Sequence, residues 1–467
     1  MKKLLTLLSL ISLFSLQLFG GSEAALNKLS PKQITEKVEK AYYFSYPILQ
    51  GYQALFGISI AKQSPSYFGE LNGVYSKPFT LNPSYTAVVS PNADTPYTLL
   101  NLDLSTEPMV YSVPAIKNRY YVMQLVDLYG YNAHYIGTRA TGTDAGKYLL
   151  AGPNWHGKVP KGITKVLRFE TDLVLGIGRT QLFGDSDLPA LKKVVAQYKV
   201  EPLSTFNGTK APKTKQHNWP VWNPAFLDDE RFIPILNFSL SFCKPNPEDA
   251  EALANLKSLG IFAGADFDAA KLTKAQQEAI IKGIKTAQAK MAQKARNLSP
   301  SQNGWRSLTG FGDRAYFKGD YFLKAAAATV GYLANDPIEA SYPVCRVDSE
   351  GKQLNGANNY KITFTTEPPN NAFWSVTIYN TLKDGTGGFL VENPINRYLI
   401  NDKTKGLTKE KDGKMIITIS HNEPKDPKER ANWLPAPEGN FYLIMRIYMP
   451  KESVLNGSWE PPAVTKI

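Results

Sequence analysis

At 467 residues the chain can hold two or three domains with real cores, and a hydrophobic share of 43% against 20% charged excludes a disordered or fibrous protein. The formal net charge of +12 is carried by dispersed lysines with no RNA- or DNA-binding motif beside them. That pattern reads as a basic, solvated surface and excludes nucleic acid as a partner.

The chain opens MKKLLTLLSLISLFSLQLFGGSEA. Lys2 and Lys3, an apolar run from Leu4 to Phe19, and small residues at Ser22 and Ala24 follow the order of a secretory signal peptide over residues 1–24. Cleavage is expected after Ala24, and a periplasmic or secreted mature chain follows. No later apolar run is long enough to span a membrane, so no transmembrane segment is expected once the leader is gone. The two cysteines, Cys243 and Cys345, could pair in an oxidising compartment, and their spacing leaves the matter open.

Residues 25–60 read as an N-terminal helical segment. Over 61–200 come short strand-like runs broken by Pro, Gly and Asn, among them "PMVYSVP", "RYYVMQLVDLY", "KYLLAGP" and "ITKVLRFE", which suggest a first β-sandwich. A helix near its end is expected to start at Asp187 as N-cap, with Pro189 in the first turn. Residues 201–340 read as an irregular linker followed by helices. Asn246-Pro247 is a capped start, and Thr273 with Gln276 forms a capping box ahead of the stripe Ile280, Ile284, Ala287, Met291 and Ala295. Another helix, from about Tyr321 to Leu333, follows Asp320. Over 341–467 the strands return, with "YKITF", "AFWSVTIYN", "KMIITIS" and "FYLIMRIYM" giving a second β-sandwich. The expected fold is mainly β with helical insertions, two antiparallel β-sandwiches joined by a helical segment.

Several chemistries lack their motifs. There is no G-x-S-x-G elbow, H-E-x-x-H pair, P-loop, C-x-x-C or G-x-G-x-x-G fingerprint. The four histidines, His134, His156, His217 and His421, include no two at ligand spacing. No cofactor and no metal are expected.

"SPNADTPYTLLNLDLSTEP", "NRYYVMQLVDLYGYNAHYIGTRATGTDAGKYLLAGPNW" and "DLPALKKVVAQYKVEPLS" resemble the bacterial domain of unknown function DUF1254. "LNGANNYKITF", "FWSVTIYN", "NPINRYLI" and "ANWLPAPEGNFYLIMRIYMPKESVLNGSWEPP" resemble its usual companion, DUF1214. The resemblance covers nearly all of the chain after the leader. It implies two sandwiches of jelly-roll type joined by helices, and no agreed activity. Two positions depart from it: Lys324 in "YFLKAAAA" stands where arginine is common, and Asn380 ends "TIYN" where aspartate is frequent. An amide cannot accept a proton at neutral pH, so a general base at that position is in doubt here.

The remaining polar residues suggest a site. Along Tyr120–Tyr129 both alternating faces are mostly apolar, which marks a central strand and leaves Asp127 near a core. Its nearest candidate partners in sequence are His134 and Arg139. In "SPNADTP", Pro91 and Pro96 stiffen a turn, with Asn92 and Asp94 as Asx-turn formers; the stretch reads either as a structural corner or as the lip of a site. Arg446 among tyrosines, with Trp374, Arg397 and Trp433, reads as an aromatic core or as a sugar platform. The candidate catalytic set is therefore Asp94, Asp127, His134 and Arg139 at the mouth of the first sandwich. Two functions stay open: a binding or envelope-associated assembly protein, and a hydrolase- or lyase-type enzyme. The expected partner is a small polar or carbohydrate-like ligand, and a homo-oligomer is left open.

Overall fold

The structure, a computed structural model, describes residues 23–86, 89–383, 385 and 387–467. Residues 1–22 of the expected leader lie outside the described residues. The first half contains β1 (Tyr75–Lys77), β2 (Tyr97–Leu99), β3 (Leu102–Asp103), β4 (Met109–Val113) and β5 (Tyr121–Asp127). It continues with β6 (Asn132–Gly137), β7 (Gly146–Ala151), β8 (Lys165–Arg168), β9 (Leu173–Thr180) and β10 (Lys199–Pro202). These form a larger sheet in the order β1-β2-β9-β5-β6, with β3 also on β9, and a smaller one in the order β10-β4-β7-β8. Both sheets feed one core: Tyr121, Met123 and Leu125 meet Met109, Tyr111 and Leu150. As the two apolar faces of its sequence require, every residue of β5 is buried.

Helices follow from local signals. The earliest described are α1 (Glu23–Leu26) and α2 (Pro31–Leu55), and α2 starts at a complete Ser30/Gln33 capping box with Pro31 at its first position. Next come α3 (Leu188–Val195), α4 (Leu203–Asn207), α5 (Phe232–Leu240), α6 (Ala250–Ser258) and α7 (Lys274–Ala295). The capping box of α7 is Thr273 with Gln276, and it buries Ile280, Ile284, Ala287 and Met291. The short α8 (Arg314–Phe317) and α9 (Tyr321–Gly331) complete the middle segment. Helices α2, α5, α7 and α9 pack on Val126, Leu128 and Leu175, and so cover one end of the larger sheet's outer face. Among the described residues no helix is long and apolar enough to cross a membrane.

The second half holds β11 (Ser301–Gln302), β12 (Trp305–Ser307), β13 (Ala340–Ser341), β14 (Pro343–Cys345), β15 (Tyr360–Phe364) and β16 (Asn370–Asn380). After these come β17 (Leu399–Asn401), β18 (Met415–Ser420), a short helix α10 (Pro427–Ala431), β19 (Trp433–Pro435), β20 (Phe441–Pro450) and β21 (Val464–Lys466). Its sheets run β11-β12-β14-β20-β16-β17, with β13 also on β20, and β19-β18-β15-β21. Again one core draws on both. Cys243 packs against the helical core and Cys345 lies in this second one, and both thiols are free.

Two expectations need correction. The sheets are not purely antiparallel, because β7 pairs with β8 and β18 with β19 in parallel. A parallel pair needs a crossover of about a dozen residues, and the stretches 152–164 and 421–432 supply it. Asp187 does not cap α3: its backbone is already helical, and its carboxylate is held by the Arg119 guanidinium at 2.6 Å. A charge-assisted pair with a fixed fork outcompetes a cap.

Each strand of β2–β10 has a counterpart in β13–β21 in the same chain order, and the pairings within the first set recur within the second. β2 and β3 sit end to end on β9 as β13 and β14 do on β20. The pairs β4·β7, β4·β10, β5·β6 and β5·β9 recur as β15·β18, β15·β21, β16·β17 and β16·β20. Even the parallel edge recurs. The register then matches residues: Val122 lies opposite Arg179, and Ser375 lies opposite Arg446.

These two arginines behave alike, and each reaches across to the other half. Arg179 donates to Gln124 Oε1 (2.9 Å), two residues beyond Val122, and to the carbonyl of Leu333 (3.1 Å) ahead of β13. Arg446 donates to Thr377 Oγ1 (3.1 Å), two residues beyond Ser375, and to the carbonyl of Ser90 (3.2 Å) ahead of β2. Each half thus clamps the segment that leads into its counterpart. The matched residues Tyr120 and Phe373 touch each other with ring centroids 5.8 Å apart. Contact between a residue and its own counterpart is the mark of a twofold-like interface.

Arg446→Met is expected to destabilise the protein by about 3 kcal/mol, the scale for losing hydrogen bonds from a buried charged group. Amide exchange should rise in the first half's lead-in around Ser90–Pro96, and Arg179→Met should do the same around Leu333–Tyr342. Hydrogen-exchange mass spectrometry reads both; increases confined to the mutated half would contradict the crossed clamps.

Candidate functional site

The four residues singled out by sequence do not form one site. Strand β5 runs from Tyr121 opposite Thr180 to Asp127 opposite Val174, whereas Tyr97, just after the "SPNADTP" turn, is opposite Arg179. Asp94 therefore lies beyond the start of β5 and Asp127 at its exit, about 20 Å away at strand rise. Alternation in sequence says which face a residue takes. It does not say which end of a sheet a loop returns to.

Asp94 sits in the interface between the halves. Asn92 Oδ1 accepts its N–H at 2.6 Å and closes the Asx turn, while Asp94 Oδ2 accepts from Ser375 Oγ at 2.8 Å. Its other oxygen is buried with no partner among the described residues. Burial raises its pKa against the opposing pull of Arg446. Arg139 goes elsewhere, its Nε donating to Glu339 Oε2 at 2.5 Å, while Tyr120 donates to Glu339 Oε1 at 2.8 Å. Both residues thus belong to the clamp between the halves.

Asp127 and His134 do share a place. They line a cleft of about 700 Å³ together with Tyr131, Arg168, Glu170 and the segment 313–319 that carries α8. The exit of β5 and the start of β6 form its floor. The end of β8 makes one wall, and α8 makes the other.

The floor is built around Tyr131. Asp127 Oδ1 accepts the Tyr131 N–H at 2.9 Å, and the Asp127 N–H donates to the Tyr131 carbonyl at 3.0 Å, so the carboxylate closes the turn. Behind it Lys324, 3% exposed, donates from Nζ to the carbonyl of Tyr129 at 2.9 Å and lies 3.7 Å from the centre of the Tyr131 ring. The Arg314 guanidinium is also over that ring, at 4.7 Å, and is held by Glu170 (2.5 Å) and Asp249 (2.8 Å). Two cations on one phenol ring are a favourable use of its negative faces. The Tyr131 hydroxyl, in contrast, is buried with no hydrogen-bond partner among the described residues.

Burial governs the protonation of this group. Desolvation raises the Asp127 pKa, opposed by the Tyr131 N–H and by Lys324; desolvation lowers that of Lys324, opposed by Asp127. His134 is also shifted downward by burial, and its Nε2 lies 2.8 Å from the Arg168 carbonyl. A neutral ring donating from Nε2 leaves Nδ1 as an acceptor. At the matching strand exit of the second half, Asn380 Oδ1 accepts the N–H of Phe389, nine residues on, at 2.6 Å, with a group that does not titrate. Sequence inspection missed Tyr131, Glu170, Asp249 and Arg314. Its one signal for the buried charge was Lys324, a lysine in an apolar, alanine-rich helix.

The geometry defines a class: two copies of one mixed-sheet unit, clamped together, with a titratable cleft on the first. Residues 71–202 match the family described as "Protein of unknown function (DUF1254)", and residues 339–452 match "Protein of unknown function (DUF1214)". The chain carries these two domains in succession, and Arg314 and Lys324 come from the stretch between them. The crystal structure of the VPA0106 protein from Vibrio parahaemolyticus is similar, with a TM-score of 0.74 and 26% identity over 93% of this chain and 100% of that one. A crystal structure of a putative uncharacterized protein from Burkholderia cenocepacia aligns over 93% of this chain and 94% of that one, at 12% identity and a TM-score of 0.43. Among curated proteins no match is found.

The buried pair predicts a pH profile. Folded Asp127 holds a proton that the unfolded chain releases, so its contribution falls as pH rises from the ordinary carboxylate value through its raised one. Folded Lys324 gives up a proton that the unfolded chain keeps, so its contribution recovers as pH rises from its lowered value to the ordinary lysine value. Against the double variant Asp127→Asn/Lys324→Met, wild-type stability should dip between these windows and rise on either side. Thermal denaturation at a series of pH values measures it, and a flat difference would contradict the assignment.

Proposed function

We propose that the chain is an exported binding protein, periplasmic or secreted, whose first half takes a small polar, carbohydrate-like molecule in the cleft of Asp127 and Tyr131. In this reading each sheet pair is a sandwich of jelly-roll type and serves as a rigid frame. The observation that carries the proposal is Tyr131: it lines the cleft, and its buried hydroxyl has no partner among the described residues, which is costly unless something else bonds to it. Asp127 beside it can donate or accept as its protonation changes, and His134 offers Nδ1. Polar groups converging in a cleft of this volume suit a ligand with several hydroxyls.

A second reading, a hydrolase- or lyase-type enzyme, is favoured by one observation. A carboxyl raised by burial and an imidazole kept neutral by burial line the same cleft, a pairing suited to proton transfer. Turnover of a ligand retained by the native protein would select it.

Tyr131→Phe separates ligand from fold. It removes an unsatisfied buried hydroxyl and keeps the ring against both cations, so the empty protein should be as stable as wild type or up to about 1 kcal/mol more stable. Protein purified from its native host should release a small molecule on denaturation, seen by mass spectrometry, and the variant should not. Equal retention by both would remove the cleft from consideration.

Export has its own test. The order of Lys2-Lys3, apolar run and small residues motivates a mature start at Ala25. N-terminal sequencing of protein from the cell envelope should find it, and an intact Met1 in that pool would refute export by cleavage.

A further inference from the structure

We propose that the second half carries a site for a small oxyanion, a carboxylate or a phosphate, built on Arg346. The register from Cys345 opposite Leu443 places Arg346 opposite Tyr442, at the end of the sheet where Asn380 leaves β16. Its guanidinium lies 4.3 Å from the centre of the Tyr442 ring and is half-buried. Among the described residues it has no ion-pair partner and donates no hydrogen bond.

That sets it apart from the other sheltered arginines. Arg119 is paired with Asp187, Arg139 with Glu339, and Arg314 with Glu170 and Asp249. Arg397 donates to the carbonyls of Ala431 and Trp433. Half-buried and stacked on a tyrosine, the guanidinium has its face satisfied, while its five N–H groups take no acceptor among the described residues and stay open to a ligand. Burial accordingly depresses its pKa.

More donors converge beside it. The Tyr442 and Ser90 hydroxyls lie 2.7 Å apart, and a hydrogen bond between them uses one hydrogen and leaves the other to donate. Ser90 has a φ of 52°, left-handed backbone that a serine adopts only under constraint, and it is fixed from two sides. Its N–H donates to the Gly388 carbonyl at 2.8 Å, and its own carbonyl accepts from Arg446. A planar fork with a hydroxyl at its side matches two oxygens of a carboxylate or phosphate and a third contact. The counterpart of Tyr442 in the first half is Leu175, which the helices cover. An apolar, occluded position in one copy is an aromatic, arginine-capped one in the other.

Calorimetric titration of the full chain with inorganic phosphate, and separately with succinate, at fixed ionic strength tests this. Saturable binding of at least one is expected; the tighter arm tells phosphate from carboxylate. Arg346→Gln should weaken it about tenfold or more, the scale of a lost charge-assisted hydrogen bond, while the exposed Arg306→Gln leaves it unchanged. Should Arg346→Gln not fold, Arg346→Lys decides, because a lysine keeps the charge without the fork and should still weaken binding. Absence of saturable binding, or equal losses in the Arg306 and Arg346 variants, overturns the proposal.

Discussion

Two buried arginines constrain the whole arrangement. Arg179 and Arg446 project from matched positions on the central strands β9 and β20, and each satisfies its donors partly on its own half and partly on the lead-in of the other. A guanidinium taken from water must find acceptors for nearly all of its hydrogens. Here those acceptors exist only when both halves are in place. The Pro-bounded turn at Asn92–Thr95, the Glu339–Arg139 pair and the Tyr120–Phe373 contact are then fixed as a consequence.

The cleft depends on this scaffold in a particular way. Its floor belongs to the first half, but its α8 wall and its buried lysine come from the helical stretch that runs on into the second. Arg314 and Lys324 there face Glu170, Glu248, Asp249 and Asp127, so acidic groups outnumber basic ones around the Asp127 proton. Buried ion pairs seldom add net stability, and holding one below a solvent-open cleft makes sense as a means of keeping a proton available.

Much of the fold was legible because its signals are local. The Thr273–Gln276 capping box, the stripe along α7 and the two apolar faces of β5 each follow from residues a few positions apart. What escaped depends on distant residues. Asp187 lost its cap to Arg119, 68 residues away, and Asp127 took its cationic neighbour from a helix nearly 200 residues downstream rather than from nearby Arg139. The matching topology of the halves leaves no such local signal in the sequence. It becomes definite in the hydrogen-bond register, which no spacing in the sequence encodes. The parallel edges were missed for a related reason, since nothing in a strand says which way its partner runs.

The exchanged lead-ins also bear on how such a protein can evolve. A recombination that moved one half into another gene would carry off a receptor without its tenant, and leave behind a tenant without its receptor. Each copy has a core of its own but only part of each clamp, so the pair is the smallest block that keeps both clamps whole. Within the block the copies are free to drift apart wherever the clamp does not reach. Asp127 and Asn380 each hold an N–H of the returning chain at matched strand exits, yet only one of them can take up a proton. Such a block can divide its labour between twins while remaining, mechanically, one piece.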